Sequence, residues 1–455
     1  MHISKDERLG KEPLGKLMFS MAVPAVAAQL INLLYNIVDR VYIGHIEGYG
    51  DLALTGVGVT FPILMLISAF SAFAGMGGAP LASIELGKKN IEGAEKILGN
   101  AAGMIFMFSA TLTCFFYVLK TPILSAFGAS PATIVYAESY ISIYLLGTFF
   151  VQIALGLNTF ISGQGASKTA MLSVLIGAVI NICLDPVFIF VFDMGVKGAA
   201  LATVISQAAS AVWVIRFLIS DKSVIRLRLQ NMRLSKETVI KIATLGISPF
   251  IMQSTESLVS VTLNSGLQNY GGDLYVGSMS ILSSVMQLII IPVQGITQGV
   301  QPIISYNFGS GNMERVKATF IRLVSVSLAG TILLGGVAVL KPEIYAGVFT
   351  NNAELIQITC QVMPVYFLGI CIFGIQSACQ STFLALGQAK VSLFIALLRK
   401  IILLIPLAII LPKFMGVMGI YRAEPIADII SVTATSILFF ITFKSVCTKP
   451  LDVVF

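Results

Sequence analysis

The sequence predicts an all-α integral membrane protein of twelve spanning helices, built as two related halves. Three observations carry that prediction. Of the 455 residues, 56% are hydrophobic and only 11% charged, where an ordinary soluble domain has roughly 25% charged residues, and the mean hydropathy is +0.90. Such a chain has too little polar surface to solvate itself. A spanning helix needs about 20 mostly apolar residues, and the apolar stretches, punctuated by Gly, Pro and charge clusters, divide into twelve. The third observation is a repeat: Pro80, Ser83, Gly87, Asn90 and Glu92 recur as Pro302, Ser305, Gly309, Asn312 and Glu314, a spacing of 222 (302 − 80). Tyr144, Gly147, Gly165 and Lys168 recur as Tyr366, Gly369, Gly387 and Lys390 at the same spacing. At the start of each half the spacing is 225 (249 − 24), with Lys16, Pro24 and Leu33 matching Lys241, Pro249 and Leu258. Two membrane-embedded halves of one pattern usually hold a site between or within them and work by rocking one half against the other. The pattern therefore points to a transporter.

In chain order the expected spans are 15–43, 53–83, 97–119, 133–158, 168–192, 197–219, 238–268, 274–306, 316–340, 353–382, 391–412 and 416–443. Residues 1–219 form the first six-helix lobe, 220–237 a linker, and 238–455 the second lobe. The tail MHISKDERLGKEPLGKL is short and charged, and the span after it is too long and internally too polar for a secretory signal. Within the first span, Gln29, Asn32, Tyr35, Asn36 and Asp39 share one face, since 32, 36 and 39 stand at i, i+4 and i+7. In the fifth, Asn181 and Asp185 are i, i+4, Ser173 and Gly177 continue their stripe, and Pro186 kinks the helix beside the acid. The sixth presents Thr203, Ser206, Gln207 and Ser210 as a third polar face. The seventh carries the counterpart of the first, with Gln253, Glu256, Ser257, Ser260 and Asn264, and the last two carry Arg399 and Asp428 at similar depths.

A charge on a spanning helix costs at least about 2.5 kcal/mol by insertion scales, so every intramembrane ionisable group is a functional candidate. For Asp39 the competing reading is a helix-end carboxylate paired with Arg40 or solvated by headgroups; for Asp185 it is a helix-end carboxylate before the loop that begins at Phe192. Asp39 matches Asn264, while Asn181 and Asp185 fall opposite Leu403 and Leu407, so the carboxylate pair belongs to the first half alone. We expect Asp39 and Asp185 to act as one coupling unit for H+ or Na+, with Asn181 and Thr203 as neutral hydrogen-bonding partners and Asn36 on the cavity face. Arg399 and Asp428 are read either as a structural ion pair or as a coupling element, because an unpaired buried charge costs far more than a paired one. Glu256 has no evident basic partner at its depth, which leaves a second cation site and a cavity-lining role both open. Met252, Met279 and Met286 add adaptable, polarizable surface suited to flat hydrophobic cations.

Charge distribution sets the expected orientation. With the N-terminus inside, the inner tails and loops collect most of the basic residues, including Lys222, Arg226, Arg228, Arg233, Lys236 and Lys241 of the linker region, while Arg40, Lys120, Lys197, Lys341, Lys413 and Arg422 fall outside. That bias places both termini in the cytoplasm. The basic linker is expected to touch anionic lipid headgroups at most, and no nucleic-acid role is assigned to it. The six cysteines, Cys114, Cys183, Cys360, Cys371, Cys379 and Cys447, show no CxxC spacing and read as packing residues. An enzyme would need a nucleophile with its base or a metal cluster, yet the only histidines are His2 and His45, and no GxxxxGK[ST] loop supports direct ATP use. No cofactor beyond the coupling ion is expected.

The segment NICLDPVFIFVFDMGVKGAALATVISQ resembles the signature around helices five and six of the multidrug and toxic compound extrusion (MATE) family, part of the MOP superfamily. VDRVYIG, QPIISYNFGSGN, and FLALGQAK followed by Arg399 and Pro406 are similar to other family stretches, and the second-half phrases are most similar to one bacterial branch. The resemblance covers nearly the whole chain. It implies two six-helix bundles related by a pseudo-twofold, an outward-opening cleft, a multi-pass place in the bacterial plasma membrane, and export of cationic small molecules against entry of H+ or Na+ by a monomer. It also implies that Tyr35, Asp39, Tyr140, Asn181, Asp185 and Thr203 form the polar centre of the first lobe, Tyr140 by position only. Branches with an acid on the tenth helix find Gln376 and Gln380 here instead, while Glu256 resembles their seventh-helix glutamate, so a second-lobe ion site is half present. The alternative reading is a lipid-linked oligosaccharide flippase of the same superfamily. A pyrophosphate cargo would call for several arginines and lysines in the cleft, and near mid-depth the spans hold only Arg399 and Lys400.

Overall fold

Apolar length at these positions becomes helix throughout. The computed structural model describes residues 7–350 and 352–448, with side chains described through 444; His2 and the Cys447 side chain lie outside the described residues. In order the long elements are α1 (Leu14–Gly44), α2 (Gly50–Gly87), α3 (Ile91–Ala126), α4 (Ile134–Leu146 continued by Thr148–Gly163), α5 (Ser167–Val191) and α6 (Val196–Ile219). The second half repeats them as α7 (Lys236–Tyr270), α8 (Asp273–Gly309), α9 (Met313–Leu340), α10 (Ala353–Tyr366 continued by Ile370–Ala385), α11 (Ala389–Met415) and α12 (Val417–Thr448). Among the described residues nine of these are long and apolar enough to cross a membrane, and α4 and α10, each bent once, make eleven. The remaining one is α7, whose 35 residues are ample in length but carry the polar run from Gln253 to Asn264. Large apolar side chains such as Phe19, Val118 and Phe440 stand more than 70% exposed, which is tolerable only against acyl chains.

The repeat seen in the sequence is a repeat of contacts. Ser83 Oγ donates to the Gly163 carbonyl at 2.7 Å, and its counterpart Ser305 Oγ donates to the Ala385 carbonyl at 3.0 Å. Asn90 caps α3 by accepting from Gly93 N at 3.0 Å, and Asn312 caps α9 by accepting from Arg315 N at 3.1 Å. The bends fall at Gly147 and Gly369, 222 residues apart, and measure 63° and 49°. Between the halves the contacts are reciprocal. A Cβ built on Gly87 would lie 2.0 Å from the Tyr306 carbonyl oxygen, and one on Gly309 would lie 2.0 Å from that of Ile84. Residue i touching j′ while j touches i′ is the mark of a twofold interface. The two lobes are thus related by a pseudo-twofold that passes between α2 and α8.

Packing is uneven along that axis. One hydrophobic core is shared by both lobes at the end that carries the linker, drawing on Met21 and Ile84 from the first half and Leu245 and Ile304 from the second. Toward the opposite end the core divides in two. Ile43, Ile67 and Tyr140 belong to a cluster of the first half alone, and Leu263, Leu282 and Tyr421 to one of the second half alone. The halves are joined at the linker end and part toward the other, leaving a cleft between α1, α2, α7 and α8.

The linker itself is not a free strand over headgroups. Val224 N donates to Gln164 Oε1 at 2.6 Å, Arg228 Nε to Glu95 Oε2 at 2.7 Å, and Ser235 N to Asn100 Oδ1 at 2.7 Å. Glu95, Asn100 and Gln164 are all buried. Burying such groups without partners is costly, so the linker backbone is what satisfies them, and it belongs structurally to the first lobe.

Candidate functional site

Three helices of the first lobe bring their polar faces together. In α5, Asn181 and Asp185 are fully buried, and Asn181 Nδ2 donates to Asp185 Oδ1 at 3.1 Å and to Thr203 Oγ1 of α6 at 3.5 Å. Pro186 has no N–H to continue the ladder, and directly after it Val187–Val191 adopts a wider π-helical turn. That break sets Asp185 at a discontinuity, a recurrent arrangement at functional sites. From α1, Asp39 is 9% exposed and within electrostatic reach of Asp185. Tyr35 faces Gln207, and Tyr140 of α4 faces Thr203, its ring stacked on Tyr144 at 6.1 Å between centroids. The bend at Gly147 makes this convergence feasible, since a Cβ there would meet Val204 Cγ2 at 2.5 Å. A side chain at 147 would push α4 off α6.

The carboxylates remain under-satisfied. Asp39 Oδ1, Asp185 Oδ2 and Asn181 Oδ1 are buried atoms without a hydrogen-bond partner. Neither aspartate has a Lys or Arg within ion-pair distance among the described residues, and Arg40 lies instead over the Phe61 ring at 5.4 Å. Three acceptor oxygens on α1 and α5 are thus left without a donor. Asn36 turns its amide back to the Asn32 carbonyl at 2.7 Å and is exposed.

The second lobe solves its charges differently. Arg399 Nε donates to Asp428 Oδ1 at 2.7 Å and Arg399 Nη2 to Glu424 Oε1 at 2.8 Å, with the guanidinium 4.6 Å from the Phe373 ring centroid. The expected pair is there, widened by an acid that sequence reasoning missed; Glu424 stands at i−4 from Asp428, the spacing that signals one helix face. The expectation that Glu256 lacks a basic partner is corrected: Lys400 binds it directly and donates to the Met252 carbonyl at 2.7 Å. Residues 399 and 400 reach different neighbours, α12 and α7, because successive helical residues point about 100° apart. Both sit in the π-helical segment Leu398–Leu404. Asn264, the counterpart of Asp39, donates only to Ser260 Oγ at 3.5 Å. Gln376 and Gln380 are buried, and Gln380 Nε2 donates to Ser248 Oγ at 3.0 Å and Ser392 Oγ at 2.9 Å.

The MatE family model matches residues 24–187 and 249–410, so that each matched stretch begins at one of the paired prolines, Pro24 and Pro249. Among curated proteins the chain is 26% identical to "Multidrug export protein MepA" of Staphylococcus aureus (strain MRSA252) over 447 residues, 96% of each chain. It is 25% identical to the protein of that name from Staphylococcus saprophyticus, again over 96% of each. Among solved structures, one described as "Outward-facing conformation of a multidrug resistance MATE family transporter of the MOP superfamily" superposes with a TM-score of 0.90 at 20% identity, covering 99% of this chain and 100% of that one. A second, a MOP superfamily transporter from Pyrococcus furiosus, gives a TM-score of 0.91 at 20% identity over 99% and 100% of the two chains. Paired lobes, a divided core around a cleft and these likenesses agree: the chain belongs to the MATE family of multi-pass membrane transporters.

Proposed function

We propose that this protein is a secondary active antiporter that exports hydrophobic, mostly cationic small molecules in exchange for H+ or Na+, with Asp39 and Asp185 as its ion-coupling pair. The observation that carries the reading is the asymmetry of charge. In the second lobe Arg399 and Lys400 each hold carboxylates, whereas Asp39 and Asp185 keep buried oxygens with no partner. Two like charges in a low-dielectric cavity repel, and one cation between them relieves the repulsion. Substrate and coupling ion then compete for the same charge, which is sufficient for antiport if the singly loaded forms are the ones that switch access. Asn181 and Thr203 supply neutral hydrogen bonds to either state, and Tyr35, Asn36 and Tyr140 line the way in. The relatives named for multidrug export support a range of substrates. With the linker's basic residues on the cytoplasmic side, both termini are cytoplasmic and the cleft faces outward. Arg399 and Lys400 are spent on ion pairs, which disfavours a pyrophosphate-linked cargo.

The test uses proteoliposomes loaded with ethidium. An inward proton gradient, then an inward Na+ gradient, is imposed separately, and ethidium release is followed by fluorescence. Acceleration by one of the two names the coupling ion. No acceleration by either overturns antiport.

A further inference from the structure

The linker covers one face of α3. Its Asn231 and Met232 carbonyls close on Gly99 and Gly103, where a built Cβ would stand 2.4 Å and 2.5 Å from those oxygens, and its Arg228 pairs with the buried Glu95. At the repeat spacing of 222 the matching positions of α9 are Lys317 for Glu95, Ile321 for Gly99, Arg322 for Asn100 and Ser325 for Gly103. All four stand exposed, Ile321 by 53%. Neither Lys317 nor Arg322 has an ion-pair partner among the described residues. One face of the fold is thus repeated without its cover and with its charge reversed.

The reversal gives the sign of the partner. On α3 an acid receives a basic linker, whereas on α9 two bases without an acid attract an anion. Arg315, seven residues before Arg322, adds positive charge within electrostatic reach of it. The carboxylate of Glu12, whose carbonyl accepts from Arg315 Nη2 at 2.5 Å, is already shared by Arg8 and Lys16. Position along the helix gives the kind of anion. At about 100° per residue Ile321, Ser325 and Ile332 form one stripe, with Lys317 and Arg322 on its two sides. Ile332, 52% exposed, lies about 16 Å beyond Ile321, away from the linker end. A soluble anion gains nothing from that apolar track, while a phospholipid sets its phosphate at headgroup depth and an acyl chain below it. We propose that this face of α9 binds an anionic phospholipid, its phosphate between Lys317 and Arg322 and one acyl chain along Ile321 and Ile332. The lipid takes the place on the second lobe that the linker takes on the first. That it comes from the inner leaflet rests on the orientation proposed above; binding itself does not, because it is measured in detergent.

The test is native mass spectrometry of the purified protein, titrated with phosphatidylglycerol and, separately, with phosphatidylcholine of the same acyl chains. Phosphatidylglycerol should be retained saturably and in preference to phosphatidylcholine. Lys317→Gln and Arg322→Gln should each weaken its retention about five-fold, the effect of one basic residue at an anionic lipid surface. Lys236→Gln, which removes an exposed base at the same end of the molecule, should leave retention unchanged. Unfolding midpoints close to that of the wild type confirm that all three variants are folded. Excess inorganic phosphate should not displace the lipid. Equal retention of the two lipids, equal weakening in Lys236→Gln, or displacement by phosphate overturns the proposal. Retention that appears only after deletion of residues 449–455 overturns it as well, by giving the face to the C-terminal tail.

Discussion

At the scale of single residues, the contrast between the two lobes is a contrast between satisfied and unsatisfied charge. Removing Arg399 would leave Asp428 and Glu424 facing each other in a buried site, and losing one partner of a buried pair costs about 3–5 kcal/mol. Arg399→Met should therefore lower the thermal unfolding midpoint in detergent by several degrees, and an unchanged midpoint would show that water already reaches the cluster. The aspartates should behave in the opposite way. Asp185→Asn and Asp39→Asn lose a charge that no protein group compensates, so both should abolish gradient-driven ethidium export while unfolding at or slightly above the wild-type midpoint. Glu256→Gln should do less harm to coupling, since Glu256 is already held by Lys400. Coupled export retained in both aspartate variants but lost in Glu256→Gln would move the ion site to the second lobe. Much of this was legible in the sequence, because i, i+4 and i+7 spacing places Asn32, Asn36 and Asp39, or Asn181 and Asp185, on one face. The partner of Glu256 was not. Which neighbour a helix face meets depends on rotation about the helix axis, and spacing within one helix says nothing of that.

Elements depart from ideal helices where the site needs them to. The span pattern and its order could be read from apolar length, though the helices run on well past the expected ends: α3 extends from 91 to 126 where the apolar stretch suggested 97–119. The kink beside Asp185 could be read from Pro186, but the bends at Gly147 and Gly369 and the docking of the linker could not, since each depends on a contact between distant segments. Gly147 and Gly369 were visible only as members of the repeat. Their reason is steric: a Cβ at 147 would meet Val204, and one at 369 would meet the Asp428 Cβ at 2.6 Å. Val204 is β-branched and stiff at χ1, so it has little room to yield. Gly147→Ala should cost about 1–3 kcal/mol, the usual range for overpacking, and should slow export by displacing Tyr140 from Thr203. Val204→Ala in the same chain should restore most of both, as read by unfolding midpoint and ethidium release. Additive damage in the double variant would mean that the glycine serves the bend by backbone freedom and not by making room for α6.

For the whole molecule, the reciprocal contact between α2 and α8 decides how the lobes can move apart. Gly87 against the Tyr306 carbonyl and Gly309 against that of Ile84 bring the backbones of the two lobes together at the linker end, and neither carbonyl is the far end of a flexible side chain. In the rocking expected from the repeat, these surfaces separate while the linker, tied to Glu95, Asn100 and Gln164, travels with the first lobe. A methyl group at either glycine cannot be accommodated in the closed arrangement, yet it costs nothing once the lobes part. The double variant Gly87→Ala, Gly309→Ala should therefore shift the population toward the form open at the linker end. Glu92 and Glu314 are repeat partners, exposed at the starts of α3 and α9 in different lobes, and suit spin labels placed on a cysteine-free background. Pulsed electron–electron resonance on Glu92→Cys, Glu314→Cys should give a longer mean separation in the glycine variant than with both glycines intact. Each lobe keeps its own core around Tyr140 or Tyr421, so labels within one lobe should not move. An unchanged inter-lobe distribution would mean that the glycines are packing residues only and that the lobes part elsewhere. A change within a lobe would show that the lobes themselves deform, and rigid rocking would fail as the description of access.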